Sequence, residues 1–455
     1  MSRTTQLDPT AGGAAGPAKM PATVSPGDVD PGSGAAATLD AADLGVTLSG
    51  PPPVVRMVGS LASLGLGLAD RAGRASSSVL PRLDPDGEGF QLTGSSGPRY
   101  AALRILGRGG MGEVDLVEDR DIGRTVARKR LLPEATNPGH LARFVDEVRV
   151  IGRLEHPNIV PIHDVGLDDQ GRYFFVMKFV DGETLVTIIE RLANGDPDAV
   201  AQYDVTRRVQ IFVGLLRALE YAHASGVLHR DLKPANVMVG RFGEVVLMDW
   251  GVACTLDRRS PGAPVGPGAH LAEAHAGYSR LSSTQVGALV GTPLYMSPEQ
   301  AQGANGGLDE RSDLYSACVL FHELLGLRHR HAGEASLRSV LMAVNSAEPP
   351  AHSAVFEPHP SQPGGVGAEY AHFLRRGLAR DPGQRWQSAR QMIDELHAIQ
   401  SGYCRIQCPV TLMKRTTAGV GRFIDRRPYV ALAGATIATL TFLGLLVVLV
   451  GSLVR

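Results

Sequence analysis

A short polar stretch near the middle of the chain carries the residues best suited to chemistry. It runs from His229 to Asn236 with the sequence HRDLKPAN. Asp231 can accept a proton from a hydroxyl, Asn236 can hold a metal ion, and Lys233 can neutralise charge on a moving phosphoryl group. A carboxylate this close to an amide and a lysine suits phosphoryl transfer, although such a charged run can also be a solvated loop.

A second candidate group follows a short apolar run. Residues 245–248 are predicted to form a strand, which ends in Asp249, Trp250 and Gly251. An aspartate at a strand end beside a glycine can hold Mg²⁺ between phosphates. Asn236 and Asp249 are therefore the two candidate metal ligands.

Phosphate contacts are predicted upstream, in the glycine-rich segment 107–114 (GRGGMGEV). Glycines at its first, third and sixth positions allow the backbone to approach phosphates closely. A dinucleotide-binding fold would need a helix directly after the glycines, whereas the residues from Val114 onward continue as a strand. Strand, glycine loop and strand together predict a flap over a nucleotide, with Val114 covering the base.

The next predicted strand, residues 125–130, supplies a small residue and a cation. Ala127 leaves room for a purine ring, and Lys129 can reach the first two phosphates. Apolar residues at helical spacing predict a helix over 141–154, where Glu147 is placed to pair with Lys129. An exposed lysine on an edge strand is the simpler interpretation, but the spacing from the glycine segment favours the pair.

Two further strands, about 162–167 and 173–179, lead into a connector. Met177 is predicted at the back of the pocket, and backbone groups from Lys178 to Val180 can bind adenine. Helices are predicted over about 204–225, 314–325, 337–344, 368–378 and 387–399, from apolar residues at helical spacing. The chain thus changes from strands to helices after the connector.

The two ends of the chain differ in composition from its centre. Residues 1–98 are rich in Ala, Gly, Pro and Ser and have no aromatic residue before Phe90, so they are predicted to form a disordered arm. Residues 429–454 lack charge and are predicted to form a transmembrane helix. The basic residues before them predict a juxtamembrane linker at 401–428 on the cytoplasmic side.

Charge and cysteine content limit the remaining classes of function. The net charge of −1 provides no general attraction for nucleic acid. Four scattered cysteines argue against a disulfide framework and fit a reducing compartment. No nucleic-acid partner is therefore predicted.

Taken in order, the motifs resemble the protein kinase superfamily, in particular the eukaryotic-like (Hanks-type) serine/threonine kinases of bacteria, over about residues 99–400. The resemblance implies an α+β bilobal fold with a small β-rich N-lobe and a large helical C-lobe. It implies ATP and Mg²⁺, or Mn²⁺, as cofactors. It implies these catalytic and metal-binding residues: Asp231, Lys233, Lys129, Glu147, Asn236 and Asp249. It implies these ATP-binding residues: Leu106, Gly107, Arg108, Gly109, Gly110, Met111, Gly112, Glu113, Val114, Ala127, Lys129, Met177, Val180 and Met238.

The resemblance also assigns residues outside the nucleotide site. Glu299 would pair with Arg385 to brace the large lobe, Asp313 would brace the 229–236 loop, and Thr292 would contact Asp231 and Lys233. The chain departs from the family pattern at three positions: Trp250 stands where Phe is usual, Ser297 where Ala is usual, and Lys178 where an acidic residue is common.

These features predict a single-pass membrane protein whose cytoplasmic kinase domain phosphorylates Ser or Thr of protein substrates. Autophosphorylation is expected at Ser282, Ser283 or Thr284, where Arg230 would bind the phosphate. A transient homodimer is compatible with this scheme. The alternative prediction is a catalytically weak membrane scaffold that binds ATP.

Overall fold

The computed structural model describes residues 82–86, 89–93, 98–109, 112–133, 138–255, 291–304, 307–334, 336–346, 359–362, 365–403 and 405–453. Five of the candidate residues lie outside these ranges: Gly110, Met111, Ser282, Ser283 and Thr284. Most of the predicted arm also lies outside them. Within the described part, the predicted α+β architecture is confirmed, with a strand-rich lobe followed by a helical one.

A hairpin precedes the first lobe, which differs from the prediction that order begins near Arg99. Strand β1 (Arg82–Asp86) pairs antiparallel with β2 (Gly89–Thr93), and Asp86 lies opposite Gly89. In the sequence, Gly87 and Glu88 separate the two strands, and two residues with glycine first are typical of tight hairpins. The composition of the surrounding arm hides this local signal.

The smaller lobe is a five-stranded antiparallel sheet in the order β3-β4-β5-β7-β6. Its strands are β3 (Tyr100–Arg108), β4 (Gly112–Asp119), β5 (Arg124–Leu131), β6 (Ile162–Leu167) and β7 (Tyr173–Lys178). Helix α1 (Pro138–Ile151) belongs to the same apolar core, and the Phe144 and Phe175 rings lie 5.4 Å apart. Apolar residues at three- and four-residue spacing face the sheet and direct Glu147 toward β5.

The first elements of the larger lobe follow the connector at residues 178–180. These are β8 (Gly182–Thr184), α2 (Leu185–Ala193), α3 (Pro197–Gln202), α4 (Val205–Ala224), β9 (Val227–Leu228), β10 (Val237–Gly240), β11 (Val245–Leu247) and β12 (Cys254–Thr255). Helix α4 packs tightly against β11, because a Cβ on Gly214 would lie 2.9 Å from the Val245 side chain. The hairpin of β10 and β11 thereby fixes the ends of the two segments that carry Asn236 and Asp249.

The rest of the larger lobe is helical. It comprises α5 (Pro298–Ala301), α6 (Glu310–Gly326), α7 (Leu337–Ser346), α8 (Ala368–Gly377) and α9 (Ala389–Gln400). Its centre is aromatic: Phe212 of α4 stacks on Phe321 of α6 at 4.0 Å, and Phe373 of α8 meets both rings edge-on. This packing holds α4 and α6 together and sets the position of Asp313 in the first turn of α6.

Two helices follow the larger lobe, where the sequence predicts a linker and a membrane span. The 401–428 segment contains α10 (Pro409–Arg426), and α11 runs from Pro428 to Leu453. Arg427 leaves helical geometry (φ −142°, ψ 61°) and separates the two helices, as expected for a residue before proline. Within α11, the stretch Pro428–Leu446 is long and apolar enough to cross a membrane.

Candidate active site

The 229–236 loop joins β9 to β10 and is held from below by Asp313. The buried Asp313 carboxylate accepts hydrogen bonds from the backbone N–H groups of His229 and Arg230, both at 2.9 Å, and lies 2.8 Å from His223 Nε2. Burial opposes ionisation of Asp313, but the contact with His223 lowers its pKa below the usual value. Arg230 has φ 68°, a conformation that costs on the order of 1–3 kcal/mol for such a residue. The two hydrogen bonds to Asp313 keep this loop in one shape.

Asp231 and Lys233 converge on Thr292, which lies about sixty residues further along the chain. Lys233 Nζ lies 2.8 Å from Asp231 Oδ2 and donates to Thr292 Oγ1 at 2.9 Å. The Thr292 backbone N–H and hydroxyl both donate to Asp231 Oδ1 at 2.8 Å. One carboxylate oxygen is thus oriented by Thr292 and the other by the lysine, which is the arrangement a fixed general base requires.

Asn236 and Asp249 are brought together by the β10–β11 hairpin. The Met248 N–H donates to the Asn236 backbone oxygen at 2.8 Å. The Asn236 amide nitrogen donates to the Asp231 backbone oxygen at 2.9 Å, so its amide oxygen is the group left to coordinate a cation. Asp249 is half-exposed, and the nearby Lys129 ammonium lowers the pKa of its carboxyl group.

This pair of oxygen ligands fits the chemistry of Mg²⁺. Mg²⁺ is usually held by one or two protein oxygens together with water and substrate phosphates. Among the residues that the structure describes, no group of three or more His, Cys, Asp or Glu side chains could hold a metal alone. Two protein oxygens would leave positions around such a cation for water and phosphate oxygens.

Lys129 lies between two carboxylates, one from its own lobe and one from the larger lobe. Its Nζ lies 2.6 Å from Glu147 Oε1 on α1 and 3.6 Å from Asp249 Oδ1. Burial favours the neutral amine, but the two carboxylates together raise the pKa of Lys129. Burial also raises the pKa of Glu147, whereas the Lys129 ammonium at 2.6 Å opposes this rise.

The glycine-rich segment forms the predicted connection between two strands, β3 and β4. The Gly109 N–H donates to the Gly112 backbone oxygen at 2.8 Å, and a Cβ on Gly112 would meet the Arg130 backbone oxygen at 2.7 Å. Only glycine fits at 112 for this reason. Next to it, Glu113 forms a 2.8 Å ion pair with Arg130, while Gly107, Arg108 and Gly109 are exposed.

The apolar candidates for the base pocket all belong to, or pack against, the main core cluster. Ala127, Met177 and Val180 are buried in the main core cluster. Leu106, Val114 and Met238 are partly buried and pack against the same cluster. These six residues come from both lobes.

The comparison with known families agrees with this geometry. The protein kinase domain pattern matches residues 100–397, which is more than half of the chain. The chain belongs to the protein kinase family.

Curated relatives of this chain come from several bacteria. A probable serine/threonine-protein kinase of Streptomyces coelicolor is 34% identical over 340 residues, covering 74% of this chain and 45% of the relative. The probable serine/threonine-protein kinase PknB of Bifidobacterium longum is 32% identical, covering 68% and 41%. The serine/threonine-protein kinase PknD of Protochlamydia amoebophila is 30% identical, covering 69% and 31%. The chain thus spans less than half the length of each of these relatives.

Glu299 and Arg385 form the predicted ion pair of the kinase's larger lobe. Arg385 donates to both Glu299 oxygens, at 2.7 and 2.8 Å, and also to the backbone oxygens of Ala379 and Arg380. Ser312 Oγ donates to Glu299 Oε1 at 2.6 Å. Burial opposes ionisation of Glu299, but Arg385 lowers its pKa. The pair links α5, the start of α6 and the segment before α9.

Trp250, the largest departure from the family pattern, is buried within the main core cluster. Its ring meets the His229 ring edge-on at 4.7 Å. Its indole N–H has no hydrogen-bond partner among the described residues. Trp250 therefore joins the Asp249 segment to the 229–236 loop through ring packing.

Sequence reasoning missed two residues that support the 229–236 loop. Gln300 Nε2 donates to the Arg230 backbone oxygen at 3.0 Å, and His223 contacts Asp313. Gln300 also forms a capping box with Ser297 at the start of α5, which gives Ser297 a role at the position where Ala is usual. The Ser-x-x-Gln spacing is readable in the sequence, whereas nothing local distinguishes His223 from other residues on the buried face of α4.

Proposed function

We propose that this chain is a serine/threonine protein kinase that transfers the γ-phosphate of ATP to Ser or Thr of protein substrates. The observation that carries the proposal is the simultaneous presence of two arrangements. Lys129 is paired with Glu147 at 2.6 Å, and Asp231 is oriented by Lys233 and Thr292 at 2.8 Å. A kinase needs the first to hold ATP phosphates and the second to activate the acceptor hydroxyl.

In this mechanism, each residue acts on one part of the transfer. Lys129 holds phosphate oxygens of ATP, and Asp231 receives the proton from the acceptor hydroxyl. Lys233 stabilises negative charge on the transferred group. Asn236 and Asp249 would hold Mg²⁺, or Mn²⁺, which neutralises phosphate charge when bound.

The membrane attachment is the second part of the proposal. We infer that α11 is a single membrane span, with the kinase domain at about 99–400 on the cytoplasmic side. Its support is the apolar stretch Pro428–Leu446 together with the basic residues that precede it: Lys414, Arg415, Arg422, Arg426 and Arg427. Residues 1–98 would form an arm outside the domain.

Control by autophosphorylation is the third part. We propose Ser282, Ser283 or Thr284 as acceptors, and the phosphate on any of them would bind near Arg230. The support is position: a Cβ on Gly291, where the described part of the segment resumes, would lie 2.7 Å from the Arg230 backbone oxygen. A transient homodimer would allow one chain to phosphorylate the other. A catalytically weak scaffold is not proposed, because each catalytic position carries the residue type that activity needs.

The test of the activity is Asp231→Asn. Radiolabelled phosphate transfer to a generic protein substrate is expected to fall by at least about 10²-fold, since general base catalysis typically contributes this much. Binding of a fluorescent ATP analogue is expected to persist, because Lys129 and the glycine segment remain. Phosphoamino-acid analysis of the wild-type product should show phosphoserine or phosphothreonine, and activity of the variant within a few-fold of wild type would contradict the role of Asp231.

A further inference from the structure

Helix α10 is attached to the larger lobe by its polar side. Lys414 Nζ forms an ion pair with Glu369 of α8 at 2.9 Å. The Arg422 guanidinium lies 3.9 Å from the centre of the Tyr403 ring and donates to the Ser401 backbone oxygen at 3.0 Å. The Thr411 side chain is buried at the start of the helix. These contacts fix which side of α10 faces the kinase domain.

The opposite side of α10 is apolar and exposed. It carries Leu412, Met413, Val420, Phe423 and Ile424, which are each about half-exposed or more. Their positions repeat at three-, four- and seven-residue intervals, so they form one stripe along the helix. A soluble domain normally turns such a stripe inward, whereas here the polar side is the one that contacts the protein.

The neighbours of the stripe indicate what covers it. The apolar helix α11 starts at Pro428, only one residue beyond the end of α10. Arg415, Arg426 and Arg427 are exposed, and the whole helix carries a single acid, Asp425. An apolar stripe with flanking cations is typical of a helix that lies in the headgroup region of an anionic membrane.

We propose that α10 lies in the surface of an anionic phospholipid bilayer, with its apolar stripe toward the acyl chains and the larger lobe seated on its other side. This proposal rests on α11 being the membrane anchor. It makes α10 a docking surface that fixes the orientation of the kinase domain, where the sequence indicates only a basic linker.

The test places a tryptophan on the stripe of the full-length chain in phospholipid vesicles. Met413 is 70% exposed. If α10 pointed away from the membrane, Met413 would lie about 22 Å from the start of α11. The two native tryptophans, Trp250 and Trp386, are buried. In Met413→Trp, lipids brominated on their acyl chains are expected to quench the added emission. The matched control is Phe242→Trp, at a 92% exposed site on the turn between β10 and β11, which is expected to stay unquenched.

The outcomes separate this inference from the proposed anchor. Resistance to alkaline carbonate extraction tests α11. If the chain resists extraction but Met413→Trp is unquenched, the surface position of α10 is wrong while the anchor stands. If the chain is extracted, the anchor is wrong, and the proposal for α10, which rests on it, is overturned as well. Quenching that is unchanged when anionic lipid is omitted overturns the role of the basic residues. If bromolipid does not quench Met413→Trp and the complex has the mass of two chains, a second copy covers the stripe. That result overturns the proposal.

Discussion

Removing Arg385 is expected to destabilise the larger lobe far more than removing any exposed arginine. The Arg385 side chain is fully buried, and its partner Glu299 keeps 18% of its side-chain exposure. Breaking a buried ion pair from one side costs about 3–5 kcal/mol, because the remaining charge stays buried without its partner. The residual exposure of Glu299 favours the lower end, so Arg385→Met is expected to lose about 3 kcal/mol. That corresponds to a fall in melting temperature of about 6–12 °C.

The matched control for this prediction is Arg390→Met, in the helix that follows. Arg390 pairs with Asp394, but both side chains are more than half exposed. Such a surface pair contributes about 0–1 kcal/mol, so the control should melt close to wild type. The measurement is thermal unfolding of the full chain in detergent, followed by near-UV circular dichroism.

A double-mutant cycle identifies the cause. When Glu299→Gln is added to Arg385→Met, the orphaned charge disappears, and the double variant should lose less stability than the two single variants added together. If Arg385→Met melts with the control, or if the two changes are additive, the ion pair is not what holds α5 to the segment before α9.

Three further outcomes are expected. Deleting residues 428–455 should leave an active kinase that no longer resists carbonate extraction, because no described residue of α11 belongs to the main core cluster. A truncated chain that is inactive or misfolded would contradict this modular organisation. Replacing residues 282–284 together by Ala should lower the rate of peptide phosphorylation at least tenfold. In an Arg230→Ala background, the native segment and the triple Ala segment should give the same rate. Equal rates in wild type and the triple Ala variant would contradict the control mechanism. Stability should fall as the pH drops from about 6.5 toward 4, since burial and neighbouring positive charges lower the pKa to about 4 in His322, about 3 in His329 and about 4 in His331. The unfolded chain, with ordinary histidine pKa values, binds more protons in that window. His331→Gln should reduce the fall in melting temperature between pH 7 and pH 5. An unchanged dependence of the melting temperature on pH would contradict this assignment.

Local signals were sufficient to single out the residues of the candidate active site. The 229–236 loop and the glycine-rich segment 107–114 are recognisable because phosphate chemistry restricts which residue types can occupy them. The apolar spacing over 141–154 predicted α1, and with it the Lys129–Glu147 pair that the structure contains. The hairpin of β1 and β2 was missed because its strands lie in a segment dominated by small residues.

Helix α10 shows where a local signal is insufficient. Its sequence includes Gly419 and Gly421, which lower intrinsic helix propensity, and its basic residues fit a linker equally well. Contacts with the larger lobe, such as Lys414 with Glu369, supply stabilisation that the segment alone does not encode. Which side of the helix faces the protein follows from those contacts.

The sequence by itself determined the chemical groups, their order and the family. Tertiary structure decided which distant groups meet: His223 contacts Asp313 across 90 residues, and Arg385 reaches Glu299 across 86. Gln300 likewise reaches the Arg230 backbone from another part of the chain. The physical reason is that residue type and spacing report on local conformation, whereas these contacts depend on how the elements of the larger lobe pack against one another. That packing is a property of the whole lobe.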